Sequence, residues 1–190
     1  MRNPSLLPSY LVPAAIVVAA VPAAFFAPSA FATDYMTDAD AQKLMFPDAT
    51  SFEIQAVKLT PAQQKQIESK SGTPVNAVFW KVATAKAGNR NLGYVITDAV
   101  IGKFQLINYA VSFDMDGRIR DVEILSYREA HGGEVRSKPW RAQFVGKSAS
   151  AALAIDNDIA NISGATMSCT HLSDGIRRLT QYVHAVLLGG

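Results

Sequence analysis

Charge is scarce at the start of this chain, and thiols are almost absent from it. Arg2 is the only charged side chain before Asp34. The single cysteine, Cys169, excludes an intramolecular disulfide and any multi-cysteine zinc, iron–sulfur or CxxCH haem site. The three histidines, His131, His171 and His184, form neither an HExxH pair nor a three-histidine metal set. With 18 Lys+Arg against 16 Asp+Glu the net charge is +2, and no basic stripe is present, so no nucleic-acid partner is expected. No repeat or low-complexity linker follows Thr33. What is plentiful is apolar side chain: 49% of 190 residues, with 9 Phe, 6 Tyr and 2 Trp. That is enough for one ordinary folded domain with a real core.

The apolar, nearly uncharged N-terminus reads as an address. Leu11–Ala27 (LVPAAIVVAAVPAAFFA) is continuously apolar, and Ala30-Phe31-Ala32 fits the small-x-small rule for leader cleavage before Thr33. The alternative is a retained anchor, which needs roughly 20 apolar residues. Pro13, Pro22 and Pro28 interrupt a straight spanning helix. Residues 1–32 are therefore read as a signal peptide or membrane anchor. In both cases the folded part is expected in the periplasm or another extracytoplasmic space, free or held at the inner membrane.

The remainder reads as one α+β domain, with residues 33–75 a helix/strand extension of a main unit over residues 76–190. Thr37 caps a short helix over Asp38–Leu44, stopped before Pro47. Phe52–Leu59 has strand character. Thr60-Pro61 opens a helix over Pro61–Lys70, and Gly72 ends it. Asn76–Thr84 and Gly93–Ile101 are predicted strands joined by a turn at Lys86–Asn91. Ile107, Tyr109, Val111 and Phe113 alternate as in a half-buried strand. Asp116-Gly117 then turns the chain into a strand over Ile119–Tyr127. Arg128–Pro139 is predicted to be a loop. The last element is a helix over roughly Thr166–Leu187, with Leu172, Ile176, Leu179, Val183 and Val186 in one apolar stripe. Gly175 within it is expected to cost up to ~1 kcal/mol relative to alanine. Strands grouped together, with helices near the chain ends, predict an antiparallel sheet packed with helices.

The most informative segment is Asp158–Thr170 (DIANISGATMSCT). Ser163-Gly164 breaks the chain where helical periodicity starts, and Thr166 falls in the first turn. Backbone N–H groups there lack internal partners, and the helix dipole adds partial positive charge, so an anion beside Thr166 is stabilised without a lysine. An ordinary capped helix satisfies the same spacing.

Ser163-Gly164-Ala165-Thr166, followed by Met167-Ser168, resembles the signature of FMN-binding domains. These occur in the C subunit of sodium-pumping NADH:quinone reductase, the G subunit of Rnf complexes and small exported flavoproteins. The order of Gly93-Tyr94, the hairpin Phe113–Ile119, the loop Ser126–Val135 (SYREAHGGEV) and Trp140–Lys147 (WRAQFVGK) agrees with that resemblance. It implies FMN as cofactor, esterified through its phosphate to Thr166 by a flavin transferase that uses FAD and magnesium. It further implies a binding set of Thr166, Ser163, Gly164, Ala165, Met167 and Ser168 on one side. Glu129, Gly132 and Gly133 form the other side, where the glycines let N–H groups approach the ring. His131 belongs to the same loop. One departure stands: the transferase pattern Asp-x-x-Ser/Thr-Gly-Ala-Thr has Ala160 at its first position, with Asp158 two residues early.

Other residues carry two readings each. Tyr94, Tyr127 and Trp140 either stack on a flavin or fill the core. Arg136, Lys138 and Arg141 either attract phosphate or an acidic partner, or form a solvated face. Cys169 and His171, two apart on a helix, do not face each other, which argues against a catalytic pair. With no Rossmann glycine motif, no second cofactor motif and no substrate-sized second domain in the sequence, the leading expectation is an exported electron-transfer carrier working with membrane or periplasmic redox proteins. The alternatives are a flavin-free docking module and a small extracytoplasmic FMN-dependent reductase.

Overall fold

A computed structural model of the chain describes residues 33–190, so the predicted signal or anchor segment lies outside the described residues. One antiparallel sheet contains β1 (Thr33–Asp34), β2 (Ser51–Lys58), β3 (Phe79–Ala87), β4 (Arg90–Ile101), β5 (Leu106–Phe113) and β6 (Ile119–Tyr127). Their spatial order is β1-β6-β5-β4-β3-β2. The helices are α1 (Asp38–Met45), α2 (Pro61–Ser71), the short α3 (Lys138–Arg141) and α4 (Thr166–Tyr182), which runs on into a π-helical turn over Val183–Leu187. The fold is α+β, with the C-terminal helix following the Ser163–Thr166 turn.

Local chemistry sets the element ends. Thr37 and Thr60 each form a capping box, with Asp40 and Gln63 respectively, and Pro61 opens α2 where its missing N–H costs nothing. The β3–β4 hairpin is tighter than expected. Ala87 pairs with Arg90, so the turn shrinks to Gly88-Asn89, and β3 begins at Phe79 rather than Asn76. The stretch predicted as loop over Arg128–Pro139 contains a 3-10 turn, Gly133–Arg136, and leads into α3. The two-residue strand β1, paired to Ser126 and Tyr127, was not anticipated, since two residues carry no periodicity.

The sheet is covered on both faces. On one, Val82, Ile96, Tyr109, Val111, Val122 and Ile124 meet Leu172, Ile176, Leu179 and Val183 from the predicted stripe. On the other, Ala83, Ala85, Val95, Ala110 and Leu125 meet Ala41, Met45 and Phe46. Each large apolar side chain so buried contributes about 1.5–3 kcal/mol. Covering both faces fixes β4, β5 and β6 as a rigid platform. Its site-bearing end is where β4 and β6 finish and β5 begins.

Candidate functional site

Three segments meet at that end of the sheet: the turn Gly102–Gln105, the loop Arg128–Gly132 and the start of α4. Each is a stretch that a strand or helix leaves without regular pairing, so side chains must fix their relative positions. Three sets of contacts do so, one for each pair of segments.

Glu129 ties loop to turn. Its Oε1 accepts the N–H groups of Phe104 at 2.5 Å and Gln105 at 2.8 Å. Burial opposes its ionisation, but the N–H groups of Gln105, Phe104 and Lys103 outweigh that and hold the carboxyl below its ordinary range. His171 ties helix to turn: its Nδ1 lies 2.6 Å from the Ile101 carbonyl oxygen and 2.8 Å from that of Gly102. Since carbonyls only accept, Nδ1 carries the proton. Tyr127 ties loop to helix. Its hydroxyl donates to the His131 carbonyl at 2.5 Å and lies 2.9 Å from Ser168 Oγ. Burial pushes the Tyr127 phenol above its ordinary value, so it stays a neutral donor.

Between these segments lies a cleft of about 430 Å³, lined by Lys103, Phe104, Glu129–His131 and Gly164–Ser168. That volume falls within the range of small-molecule sites. Its floor is the open end of α4. Ala165, the capping residue, provides no side-chain cap, and the first turn holds no acidic residue. Cys169 N–H bonds to the Ala165 carbonyl at 2.9 Å, so the N–H groups of Thr166, Met167 and Ser168 precede the helical ladder. Thr166 is exposed, and its Oγ1 accepts from Asn161 Nδ2 at 3.2 Å. Gly164 reaches this geometry at φ 84°. An uncapped helix end beside an exposed hydroxyl suits a phosphate. The walls from Phe104, Ala130 and Met167 suit a planar apolar ring system. The residues present therefore fit FMN.

The structure brings Glu129, His131, Gly164, Ala165, Thr166, Met167 and Ser168 to one cleft. Ser163 is exposed within the turn and does not line the cleft. Gly132 and Gly133 do not line it either. Gly132, at φ 90°, is pressed against Tyr127 and α4: a Cβ there would stand 2.6 Å from Tyr127 Oη and 3.0 Å from Ser168 Oγ. Its glycine serves loop-to-helix packing rather than approach to a ring.

None of Tyr94, Tyr127 and Trp140 lines the cleft. Trp140 is buried with Nε1 donating to the Ala160 carbonyl at 2.8 Å, and Tyr94 packs partly buried against the main core. The aromatic that does line it is Phe104, which the sequence reading passed over. The signal was an aromatic beside a lysine at the tip of a strand-to-strand turn. Asn161, the partner of Thr166, was also missed.

The cations Arg136 and Arg141 have structural partners. Arg136 lies over the Tyr35 ring at 3.4 Å, and Arg141 pairs with Glu123 at 2.5 Å. Cys169 is fully buried and its thiol is pushed up by that burial, while His171 faces the turn. Asp158 is held by the Ala154 N–H at 2.9 Å and by Lys147 at 3.2 Å. It cannot stand in for the missing acid at Ala160, whose own N–H and carbonyl are bonded to Gln143 and Trp140.

Residues 102–181 match the family model of the FMN-binding domain. None of the curated proteins matches the chain.

Proposed function

Residues 102–181 belong to the FMN-binding domain family, and from that premise we propose that this flavoprotein is an exported electron carrier with FMN esterified through its phosphate to Thr166. The observation that carries the reading is the exposed Thr166 hydroxyl at an uncapped helix end, opening on a cleft of flavin size.

When bound, FMN supplies the one- or two-electron chemistry. The chain supplies position. The N–H groups of Thr166, Met167 and Ser168 and the dipole of α4 favour the phosphate charge. Phe104, Ala130 and Met167 shield a ring from water, and Lys103 adds positive charge at the rim. His131 also lines the cleft. In attachment, Thr166 Oγ1 forms a bond to the phosphorus on the FMN side of FAD. The pyrophosphate bond breaks, AMP leaves, and the hydroxyl proton is lost. Phosphoryl transfer of this kind depends on positioning and metal electrostatics, which the transferase provides. The acceptor need only be reachable, and Thr166 is.

The proposed partners are that flavin transferase and membrane or periplasmic redox proteins. An ester keeps the cofactor from being diluted away outside the cytoplasm.

The test is the colour of protein made alongside a flavin transferase. After unfolding in acid, yellow colour stays with the wild-type chain and with Thr166→Ser, and is lost from Thr166→Ala. Colour that leaves the wild-type chain on unfolding contradicts the ester while leaving flavin binding in place.

A further inference from the structure

Exposed apolar side chains gather around the mouth of the flavin cleft. Phe104 is 75% exposed, Ile101 60% and Met167 47%, and Leu106 stands directly across from Ile101 in the β4–β5 register. Val78 and Phe79, also exposed, sit where β3 begins, which is the same end of the antiparallel sheet. Isolated exposed apolar residues need no explanation, but a contiguous set marks a contact surface.

The charge around this set is positive. Lys103 holds its ammonium 5.0 Å from the Phe104 ring centre, and Lys58 ends β2 beside Phe79. Neither belongs to an ion pair among the described residues. Of the carboxylates at this end, Asp34 is engaged with Arg128 and Glu129 with the turn N–H groups, while Glu134, near Tyr127 and Cys169, is exposed and in no ion pair among the described residues.

The entry point of the chain selects the occupant. Thr33 pairs with Tyr127, and Tyr127 with Ile107, so β1 starts at this same end of the sheet. The 32 residues upstream, with the uncharged apolar run Leu11–Ala27, are joined to the domain here.

We propose that this end of the sheet docks on an anionic lipid bilayer, with Ile101, Phe104, Leu106 and Met167 at the acyl boundary and Lys103 and Lys58 at lipid phosphates. Apolar side chains flanked by lysines are the composition that binds such an interface. Resting on the reading of the cleft as the flavin site, the proposal turns the flavin toward the membrane. Its electron partner is then embedded in, or dissolved in, that membrane.

The experiment uses the full-length, flavin-loaded protein reconstituted into vesicles containing anionic phospholipid. A nitroxide is placed at Leu106→Cys, which does not line the cleft, or at Met115→Cys in the hairpin turn at the opposite end. Buried Cys169 is not labelled under native conditions. Electron paramagnetic resonance then compares relaxation by oxygen, which concentrates in lipid, with relaxation by a water-soluble nickel chelate. The oxygen-to-nickel ratio is expected to rise severalfold at residue 106 on reconstitution and to stay unchanged at residue 115. Equal, water-like accessibility at both positions overturns the proposal. So does shielding of residue 106 from both agents, which is the sign of a protein partner. Flavin absorbance recorded on the same samples separates either failure from a failure of flavin binding.

Discussion

Glu129 shows how one side chain fixes the shape of a site. Its carboxylate gathers N–H groups of the 102–105 turn and so sets where Lys103 and Phe104 stand. Glu129→Ala leaves those N–H groups to water, at a cost of about 1 kcal/mol in stability, small because solvent screens the site. The effect on the cleft is larger than on the fold, so flavin fluorescence changes more than the urea midpoint. The pH sign follows from the lowered pKa. The contribution of Glu129 is complete above pH 4.5, the ordinary value for a free glutamate, and fades as pH falls through the lower native value. Wild-type and Glu129→Ala stabilities therefore converge in acid. A gap that widens in acid contradicts this role.

Ala160 offers a second test at the same scale. It is exposed, and its backbone groups are already bonded, so Ala160→Asp adds a carboxylate without disturbing the loop. It also restores the acidic position of the transferase pattern. The fraction of chain carrying flavin, read from intact mass after short coexpression, is expected to rise; an unchanged or lower fraction removes that importance from the position. Thr166, its glycine turn and the loop at Glu129 were legible because their residue types are unusual in combination. Phe104 was not, since an aromatic in a turn looks like core until the register leaves it without neighbours. The sense of Gly132 was also hidden, because its constraint comes from Tyr127, five residues earlier, and Ser168, far along the chain.

Among the elements, α4 joins site and core. Its open end forms the cleft floor, and the rest of it packs on the sheet through the stripe that periodicity had predicted. Gly175 reverses the expectation drawn from propensity. Glycine in a helix costs up to ~1 kcal/mol relative to alanine, yet a Cβ at residue 175 would stand 2.3 Å from Tyr109 Oη and 2.8 Å from Val100 Cγ1. Glycine lets the helix lie close to β4 and β5. Gly175→Ala is thus expected to destabilise by about 1–3 kcal/mol through overpacking, measured by urea unfolding. A stabilised variant would mean that propensity wins. Single-chain patterns report how residues recur along one element. They do not report how near a neighbouring element comes, and for that reason the sign at Gly175 was out of reach.

At the scale of the whole molecule, residues 33–75 are built into the sheet and its two cores. Helix α1 closes one face with Ala41, Met45 and Phe46, and Ile67 of α2 enters the core on the other. The strand β2 pairs along eight residues of β3. Although the family match covers only residues 102–181, that segment lacks β1–β4. A chain cut to residues 76–190 is expected to lose cooperative unfolding, seen as a broad, low-slope urea transition beside a single sharp one for the intact protein. A sharp transition in the shortened chain contradicts this account. The antiparallel α+β class was legible from grouped strands, while the strand order and β1 were not, because pairing partners are set by topology rather than composition.

The central claim is that the hydroxyl at the uncapped end of α4 carries the flavin. The most direct measurement is fragmentation mass spectrometry of the tryptic peptide Ser148–Arg177 from protein matured with a flavin transferase. The peptide also contains Ser163, Ser168 and Thr170, so fragmentation must assign the oxygen. The account predicts an added mass of one FMN less water, placed on Thr166. The same peptide at its unmodified mass, or the adduct on another of its hydroxyls, contradicts it.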